Sequence, residues 1–449
     1  MIKNGYIDDI HGWNFIGGKD GKNVDVDNLE STRLYRKLKP KYEGKTVADF
    51  KTKEEKADLE LYEQVKKETT TAKSNNEPSY NQVKLIKEKL IKMESDIKSQ
   101  QTVSEIKLEN IEKYTPEDKT DKQIKAICTI SMKQGKVTFN EFKDQIDDAY
   151  DHYYNMLEKN LNPDFDPRSI VGDNYDDPYE KNYGNADCKG PHSLHGTHVA
   201  GIIAASRNNG IGMDGVASDV KIMSVRCVPD GDERDKDVAN AIIYAVNNGA
   251  TILNMSFGKK YSWNKKVVDD AVKYAESKGV LLMHAAGNDA VDIDKEIHFP
   301  TPKFEGKGTA TNMITIGALS WKPDSMIAAP FTNYGKKTVD LFAPGVDIYS
   351  TLPENEYKDL SGTSMATPVS AGVAAVLKSY YPALTPEQMK KILIKSSLKT
   401  YKGKMVIKPG SKKGDKDRYV KFETLGKNAG LINLYEAIKL ADKMNNFKG

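Results

Sequence analysis

The sequence predicts an α/β fold with a mainly parallel β-sheet that helices cover on both faces. Beyond residue 166, short apolar runs of strand length alternate with segments of helical periodicity. Polar or small-residue motifs follow several of these runs, which is where parallel sheets bind ligands. A separate segment, residues 30–165, is rich in Lys and Glu and poor in Gly, and it indicates an inserted helical region.

The alternation of strands and helices favours a parallel sheet, because parallel neighbours need crossover connections that are usually helices. Three strands and two helices are predicted in chain order at Val220–Val225, Asp237–Asn247, Thr251–Ser256, Val267–Lys278 and Val280–Met283. A final helix is predicted to begin at Thr385–Gln388, a capping box with proline at the first helical position.

Length and composition favour one large domain that carries an insertion. The chain has 449 residues and a net charge of +3. Lysines and acidic residues nearly balance, so the net charge does not indicate a nucleic-acid partner.

Three scattered cysteines, Cys128, Cys188 and Cys227, imply no disulfide framework. No transmembrane segment is predicted, because no apolar stretch reaches membrane-spanning length, and the first residues lack a signal-peptide core. These features leave the oligomeric state open.

The insertion predicts charged helices at Glu54–Lys67 and Tyr80–Lys98, whose apolar residues recur at helical spacing. One interpretation is a small helical subdomain that gates a cleft or docks a partner, and the other is a solvated appendage. The predicted organisation is therefore an N-terminal remnant of the main domain at 1–29, the insertion at 30–165 and the main domain itself at 166–445.

A candidate nucleophile is Ser364, in the string Gly362–Pro368 that opens the apolar run Val369–Leu377. The run predicts a buried helix. Backbone N–H groups at a helix N-terminus have no intrahelical partner and carry partial positive charge, so they can receive an oxyanion that forms when the hydroxyl attacks a carbonyl. A serine in this position can also be an ordinary helix cap.

Two further motifs supply the partners that a serine nucleophile needs. His195, in the string His195–Gly201, opens another small-residue apolar run and is a candidate general base. Asn288 follows the predicted strand Val280–Met283, where its amide can donate a hydrogen bond to the oxyanion.

On these three motifs the chain resembles the subtilisin-like serine peptidases. The resemblance implies the subtilisin-like three-layer fold and a serine endopeptidase in which Ser364 is the nucleophile, His195 the base and Asn288 the oxyanion donor. It also implies that His198 is structural. The same match assigns the walls of the primary substrate pocket to two segments: Ser256, Phe257 and Gly258, and Ala285, Ala286 and Gly287.

The catalytic aspartate of that family is not matched. In the family it ends a buried strand ahead of the histidine, in an Asp-Thr-Gly or Asp-Ser-Gly turn, and this chain has neither string. We expect that the sequence begins downstream of that strand and that activity is impaired without it. Asp8 and Asp9 are the alternative acids, although they are better explained as loop caps or cation ligands. A catalytically inactive peptide-binding pseudoprotease is therefore the alternative function.

The resemblance further implies a polypeptide substrate, no required cofactor, structural calcium as an option, and a secreted or cell-envelope location. Acidic side chains of Asp230, Asp232 and Glu233 follow the predicted strand Val220–Val225, and they suggest either a preference for basic substrate residues or a solvated loop. A zinc site is a second alternative, built from Cys188, His192, His195 and His198.

Overall fold

The computed structural model describes residues 5–428 and 430–446. The chain forms two compact units. One unit comprises the chain up to Asp25 together with everything from Pro167 onward, and the other is Val26–Asp166.

The unit Val26–Asp166 is helical. Its helices α1 to α5 are Glu30–Tyr42, Lys53–Gln101, Leu108–Lys113, Lys119–Gly135 and Phe139–Asn155. Both stretches predicted as charged helices are helical, and they belong to one continuous helix, α2, of 49 residues that includes Pro78. Packing at both of its ends outweighs that proline: Tyr62 is buried near its start, and Leu90 and Ile97 are buried near its end.

The other unit contains the α/β fold. Its helices α6 to α11 are Leu194–Ala204, Asp235–Asn247, Lys265–Ser277, Thr363–Tyr380, Pro386–Ser396 and Leu434–Asn446. Its strands β1 to β10 are Gly12–Asn14, Ser224–Arg226, Ile252–Met255, Leu281–Ala285, Met313–Leu319, Leu341–Pro344, Ile348–Thr351, Tyr357–Leu360, Met405–Ile407 and Tyr419–Lys421.

The main sheet is parallel and has the order β3-β4-β5-β6. Ile252 lies opposite Leu281, Leu282 opposite Met313, and Ile316 opposite Leu341. β1 and β2 form a second parallel pair, whereas β7 with β8 and β9 with β10 are antiparallel hairpins. This topology confirms the predicted α/β class with a mainly parallel sheet.

Helices cover both faces of the sheet. Every residue of β4 and β5 is buried. One apolar cluster joins Leu282 to the residues of α7 and α8, and another joins Ile314 to the residues of α9, α10 and α11. Three layers result, and continuous apolar strands are what a parallel sheet buried on both faces requires.

Two expectations were wrong, one about the bounds of a strand and one about which helix is the last. The strand predicted at Val220–Val225 is shortened to β2, because its ladder partner is the three-residue strand β1. The helix that begins after Thr385 has the predicted capping box, with Gln388 N donating to Thr385 Oγ1 at 3.2 Å. It is not the final helix, since α11 follows it.

None of the helices in the described ranges is both long enough and apolar enough to cross a bilayer.

Candidate active site

Ser364 is the second residue of α9, at the mouth of a large cleft. The N-cap of α9 is Gly362, which has no side chain with which to cap the helix. The Ser364 hydroxyl instead donates to the carbonyl oxygen of Ser256 at 3.1 Å, and the Ser256 hydroxyl donates to the Ser364 carbonyl at 2.9 Å. A pair of reciprocal hydrogen bonds therefore joins the start of α9 to the end of β3.

Asn288 lies beyond the end of β4 and is held by the start of α9. Its Oδ1 accepts hydrogen bonds from Thr363 N at 2.8 Å and from Thr363 Oγ1 at 3.0 Å. Its Nδ2 and the backbone N of Ser364 converge, because a Cβ built on Gly362 would lie 3.6 Å from the first and 3.5 Å from the second. Two N–H groups thus lie close to the same position beside the serine, and an oxyanion site requires a pair of donors of this kind.

His195 is the second residue of α6, and its side chain lines the same cleft as Ser364 and Asn288. His195 is exposed to the cleft, and the surrounding walls partly desolvate its ring. This desolvation lowers the pKa of His195, and the nearby His198 lowers it further. The imidazole is therefore biased towards the neutral form that a general base needs.

The helix that carries His195 is fixed by close packing against β7. A Cβ on Gly201 would lie only 2.2 Å from Thr351 Oγ1, so this close approach requires glycine. The hydroxyls of Ser350 and Thr351 donate to the carbonyls of His198 and Thr197 at 2.8 and 3.0 Å. His198 itself is fully buried, and its Nε2 lies 3.0 Å from the carbonyl of Lys358.

The predicted pocket residues lie where two neighbouring parallel strands end. Five of the six line the cleft: Ser256, Phe257, Gly258, Ala285 and Gly287. Ala286 is the exception. It is fully buried with Ile293 and Leu319 in the apolar core, so its side chain forms no part of the wall.

The cleft has a volume of about 1820 Å³ and extends well beyond the neighbourhood of Ser364. Two long runs of backbone, Val220–Gly231 and Asn248–Gly258, border it, and they include all of β2 and β3. It is larger than the ~300–1,000 Å³ typical of small-molecule sites.

Comparison with known proteins identifies the family of this chain. The Subtilase family model matches residues 109–425. The chain belongs to the subtilase family. It is 40% identical over 222 residues to a thermophilic serine proteinase of Bacillus sp. strain AK1, which covers 48% of this chain and 49% of that protein. It is 36% identical over 222 residues to the major intracellular serine protease of Bacillus subtilis strain 168, covering 49% and 64%. A cold-adapted subtilisin-like serine proteinase of known structure is 31% identical, with a TM-score of 0.40 and coverage of 56% and 77%. The chain spans about half the length of the first of these relatives.

Two acids considered as replacements for the catalytic aspartate lie near the beginning of this subtilase. Asp9 borders the cleft, and its Oδ2 accepts a hydrogen bond from the buried Tyr244 hydroxyl at 2.9 Å. Asp8 is exposed and has a φ of 60°, the left-handed conformation found in tight turns.

The side chains considered for zinc have different partners. His192 Nε2 lies 2.7 Å from Asp25 Oδ1, and Cys188 Sγ lies 3.5 Å from the carbonyl of Ala186. In the ranges that the structure describes, no three His, Cys, Asp or Glu side chains form a group that could hold a metal ion.

The acidic residues that follow β2 differ in burial, so they do not all belong to a solvated loop. Asp230 is exposed, but the Glu233 side chain is buried. Burial raises the pKa of Glu233 to about 8, an effect that the Lys259 charge opposes and that of Asp232 reinforces. Lys259 is also buried and pairs with Asp235 at 2.8 Å.

His298 is a site residue that the sequence analysis missed. Its ring borders the cleft between two predicted wall residues: a Cβ on Gly258 would lie 2.2 Å from its Nε2, and one on Gly287 would lie 2.8 Å from its Cε1. Burial lowers the pKa of His298, so the ring is biased towards the neutral form. Nothing in the surrounding string Ile297–Pro300 points to the site, because only the fold brings it between the two glycines.

Proposed function

We propose that this subtilase is a serine endopeptidase that hydrolyses peptide bonds through an acyl-enzyme on Ser364. The observation that supports the proposal is the proximity of Ser364 N and Asn288 Nδ2 beside the serine, where a Cβ built on Gly362 would lie 3.5 and 3.6 Å from them. Such preorganised donors act on the negative charge that develops in the transition state.

The proposed reaction begins when the Ser364 hydroxyl turns from the Ser256 carbonyl towards His195. Oγ bonds to the scissile carbonyl carbon while its proton passes to His195, and the carbonyl π electrons move onto oxygen as an oxyanion. Asn288 Nδ2 and Ser364 N donate to that oxyanion. Its collapse breaks the C–N bond, and the leaving amine takes the proton from His195. Water then cleaves the ester by the same route.

The proposed substrate is an extended polypeptide. Backbone beyond β3 and β4 offers edges with which an extended chain can pair, and side-chain pockets between them give selectivity. Gly258 and Gly287 bring backbone close to the floor formed by His298, which leaves little depth for the substrate side chain before the scissile bond.

The alternative function is peptide binding without catalysis. It is favoured by one observation: the Ser364 hydroxyl donates to Ser256 and not to His195.

A fluorophosphonate probe tests the proposed peptidase function, because it reacts with an activated serine. We expect labelling of the intact chain that Ser364→Ala abolishes and His195→Ala reduces. Equal labelling of the chain and the Ser364→Ala variant would reject Ser364 as the nucleophile.

The remaining properties are proposed from family membership. We propose that catalysis needs no cofactor, that any bound calcium supports the fold, and that the protein acts outside the cytoplasm, in secreted form or in the cell envelope. Thermal unfolding with calcium and with a chelator tests the second point, and fractionation of the producing cells tests the third. Fractionation is the deciding measurement for the location, since one of the relatives is named an intracellular protease.

A further inference from the structure

The hairpin of β9 and β10 lies in a strongly basic segment of the chain. Between Lys399 and Lys427 the sequence has ten basic residues and three acidic ones, which gives this segment a net charge of +7. The whole chain has a net charge of only +3, so the remainder of the chain is net negative. Positive charge is therefore concentrated in one short segment, and such a concentration attracts an anionic partner.

The acidic residues of this segment neutralise little of its charge. Asp417 forms an ion pair with Lys408. The carboxylates of Glu423 and Asp415 instead accept hydrogen bonds from backbone N–H groups within the segment. Six exposed lysines of the segment form no ion pair with any residue that the structure describes: Lys402, Lys404, Lys412, Lys413, Lys416 and Lys421.

The two faces of the hairpin have different surroundings. Successive side chains along a strand point to opposite faces, and Val406 of β9 is fully buried in the apolar core. Its neighbours Met405 and Ile407, together with their ladder partners Lys421 and Tyr419, therefore form the outward face. Met405 is 50% exposed and Tyr419 is 52% exposed. The hairpin thus presents apolar and aromatic surface to its surroundings.

Lysines flank this outward face at both of its ends. Lys402 and Lys404 precede β9, and the loop between the two strands contains Lys412, Lys413 and Lys416. Proteins that bind at the interface of an anionic bilayer combine the same two features. Their lysines interact with the negative headgroups, and their aromatic and apolar side chains enter the boundary between headgroups and acyl chains.

The hairpin is fixed to the body of its unit. Gly410, which follows β9, donates its backbone N–H to the carbonyl of Pro330 at 3.0 Å. A Cβ on Gly410 would lie 3.0 Å from the carbonyl oxygen of Ala290, the second residue after Asn288. The hairpin therefore adjoins the loop that follows the candidate oxyanion donor, so a surface bound by the hairpin would lie near the candidate active site.

We propose that the outward face of the β9–β10 hairpin, with the lysines at its two ends, binds the surface of an anionic phospholipid bilayer. The lysines are attracted to the negative surface, and the side chains of Met405 and Tyr419 enter the headgroup region. The proposal does not rest on the proposed peptidase function, because none of these residues belongs to the candidate active site.

A soluble polyanion fits this surface less well. Specific recognition of phosphate or carboxylate groups favours arginine, whose guanidinium binds two oxygens at once. Nine of the ten basic residues in the segment are lysines, and Arg418 is the exception. Flexible ammonium groups suit a diffuse negative surface better than a shaped anion. A soluble polyanion also offers no apolar environment to the exposed side chains of Met405 and Tyr419.

Co-sedimentation of the intact chain with phospholipid vesicles measures the binding. We expect binding to phosphatidylcholine vesicles that contain about 30% phosphatidylglycerol to be at least about tenfold tighter than to pure phosphatidylcholine. Raising the salt concentration from about 0.1 M to about 0.5 M should weaken it about tenfold or more, because salt screens the lysines.

A pair of lysine variants assigns the binding to the hairpin. Lys412→Ser combined with Lys413→Ser should weaken vesicle binding about 25-fold, since each lysine near an anionic surface contributes about fivefold. Lys278→Ser combined with Lys307→Ser is the matched control, because it removes the same charge from exposed positions outside the hairpin. The control pair should change binding by about twofold or less, and thermal unfolding should confirm that both variants are folded.

The outward side chains are tested with Tyr419→Trp and Met405→Ser. The fluorescence of the new tryptophan, taken as the difference from the unmodified chain, should shift to the blue with anionic vesicles and stay unchanged with soluble polyphosphate, because only the bilayer supplies an apolar environment. Met405→Ser should weaken vesicle binding about fivefold, since less apolar surface leaves water.

Four results would overturn the proposal: no binding to anionic vesicles, equal binding to anionic and pure phosphatidylcholine vesicles, equal losses for the hairpin and control pairs, or no blue shift for Tyr419→Trp on bound vesicles. Polyphosphate that binds the chain and displaces the vesicles, in the absence of that blue shift, would assign the lysines to a soluble polyanion instead.

Discussion

Ser364 Oγ and the carbonyl oxygen of Ser256 are joined by a hydrogen bond of 3.1 Å, and the Ser256 hydroxyl returns one of 2.9 Å to the Ser364 carbonyl. The candidate nucleophile is therefore tied to the end of β3. Because Ser364 and Ser256 lie 108 residues apart in the chain, only the tertiary structure brings these two segments together.

Replacing Thr363 by valine should lower kcat about tenfold with little change in KM. The substitution removes the hydroxyl that donates to Asn288 Oδ1 and that accepts from Gly287 N, so the oxyanion donor is held less firmly while the substrate pocket keeps its shape. Steady-state hydrolysis of a peptide substrate measures the effect. Thr367→Val is the control, because that hydroxyl bonds only one helical turn back, to the Thr363 carbonyl. Equal effects of the two variants would refute the positioning role.

The acid limb in the pH profile of serine labelling should lie below pH 6.5, the ordinary pKa of histidine. Burial and the neighbouring His198 lower the pKa of His195, so the neutral base persists as the pH falls. The rate of fluorophosphonate labelling, measured across the pH range, gives the position of this limb. An acid limb above pH 6.5 would contradict this assignment.

Replacing His298 by alanine should shift substrate preference towards larger side chains before the scissile bond. The ring lies against both Gly258 and Gly287, and its removal deepens the pocket between them. We expect kcat/KM for a Phe substrate to rise about tenfold relative to the Ala substrate. Ile297→Ala is the matched control, since that side chain is 56% exposed. An unchanged preference in His298→Ala would show that the ring does not form the pocket floor.

Replacing Glu233 by glutamine should stabilise the protein at pH 8 more than at pH 4.5. The pKa of Glu233 is raised from 4.5 to about 8 in the folded state by burial. Between these values the unfolded chain releases a proton that the folded protein keeps, so wild-type stability declines as the pH rises. Glutamine does not ionise, so the variant lacks this pH dependence. Its Tm should exceed that of the wild type by roughly 2–6 °C at pH 8. Differential scanning calorimetry of the variant checks this, with Glu296→Gln at an exposed position as control. A Tm difference that does not grow with pH would contradict the raised pKa.

The α/β class and the elements around the candidate site could be predicted because their signals are local. Apolar runs of strand length separated by helical periodicity specify which residues form strands and helices, and the strings around His195, Asn288 and Ser364 are contiguous in sequence. The predicted bounds failed where tertiary packing decided them. α2 continues through Pro78 because both of its ends are packed, and β2 stops short because its partner β1 has three residues.

The tertiary structure alone decided how distant residues meet. Residue 298 carries no motif, yet the fold places its ring between glycines 258 and 287. Ala286 is part of a contiguous motif, yet its side chain turns into the core because successive residues along an extended segment point to opposite faces. Local patterns specify the elements, whereas the cleft and the position of His298 in it depend on contacts between residues far apart in the chain.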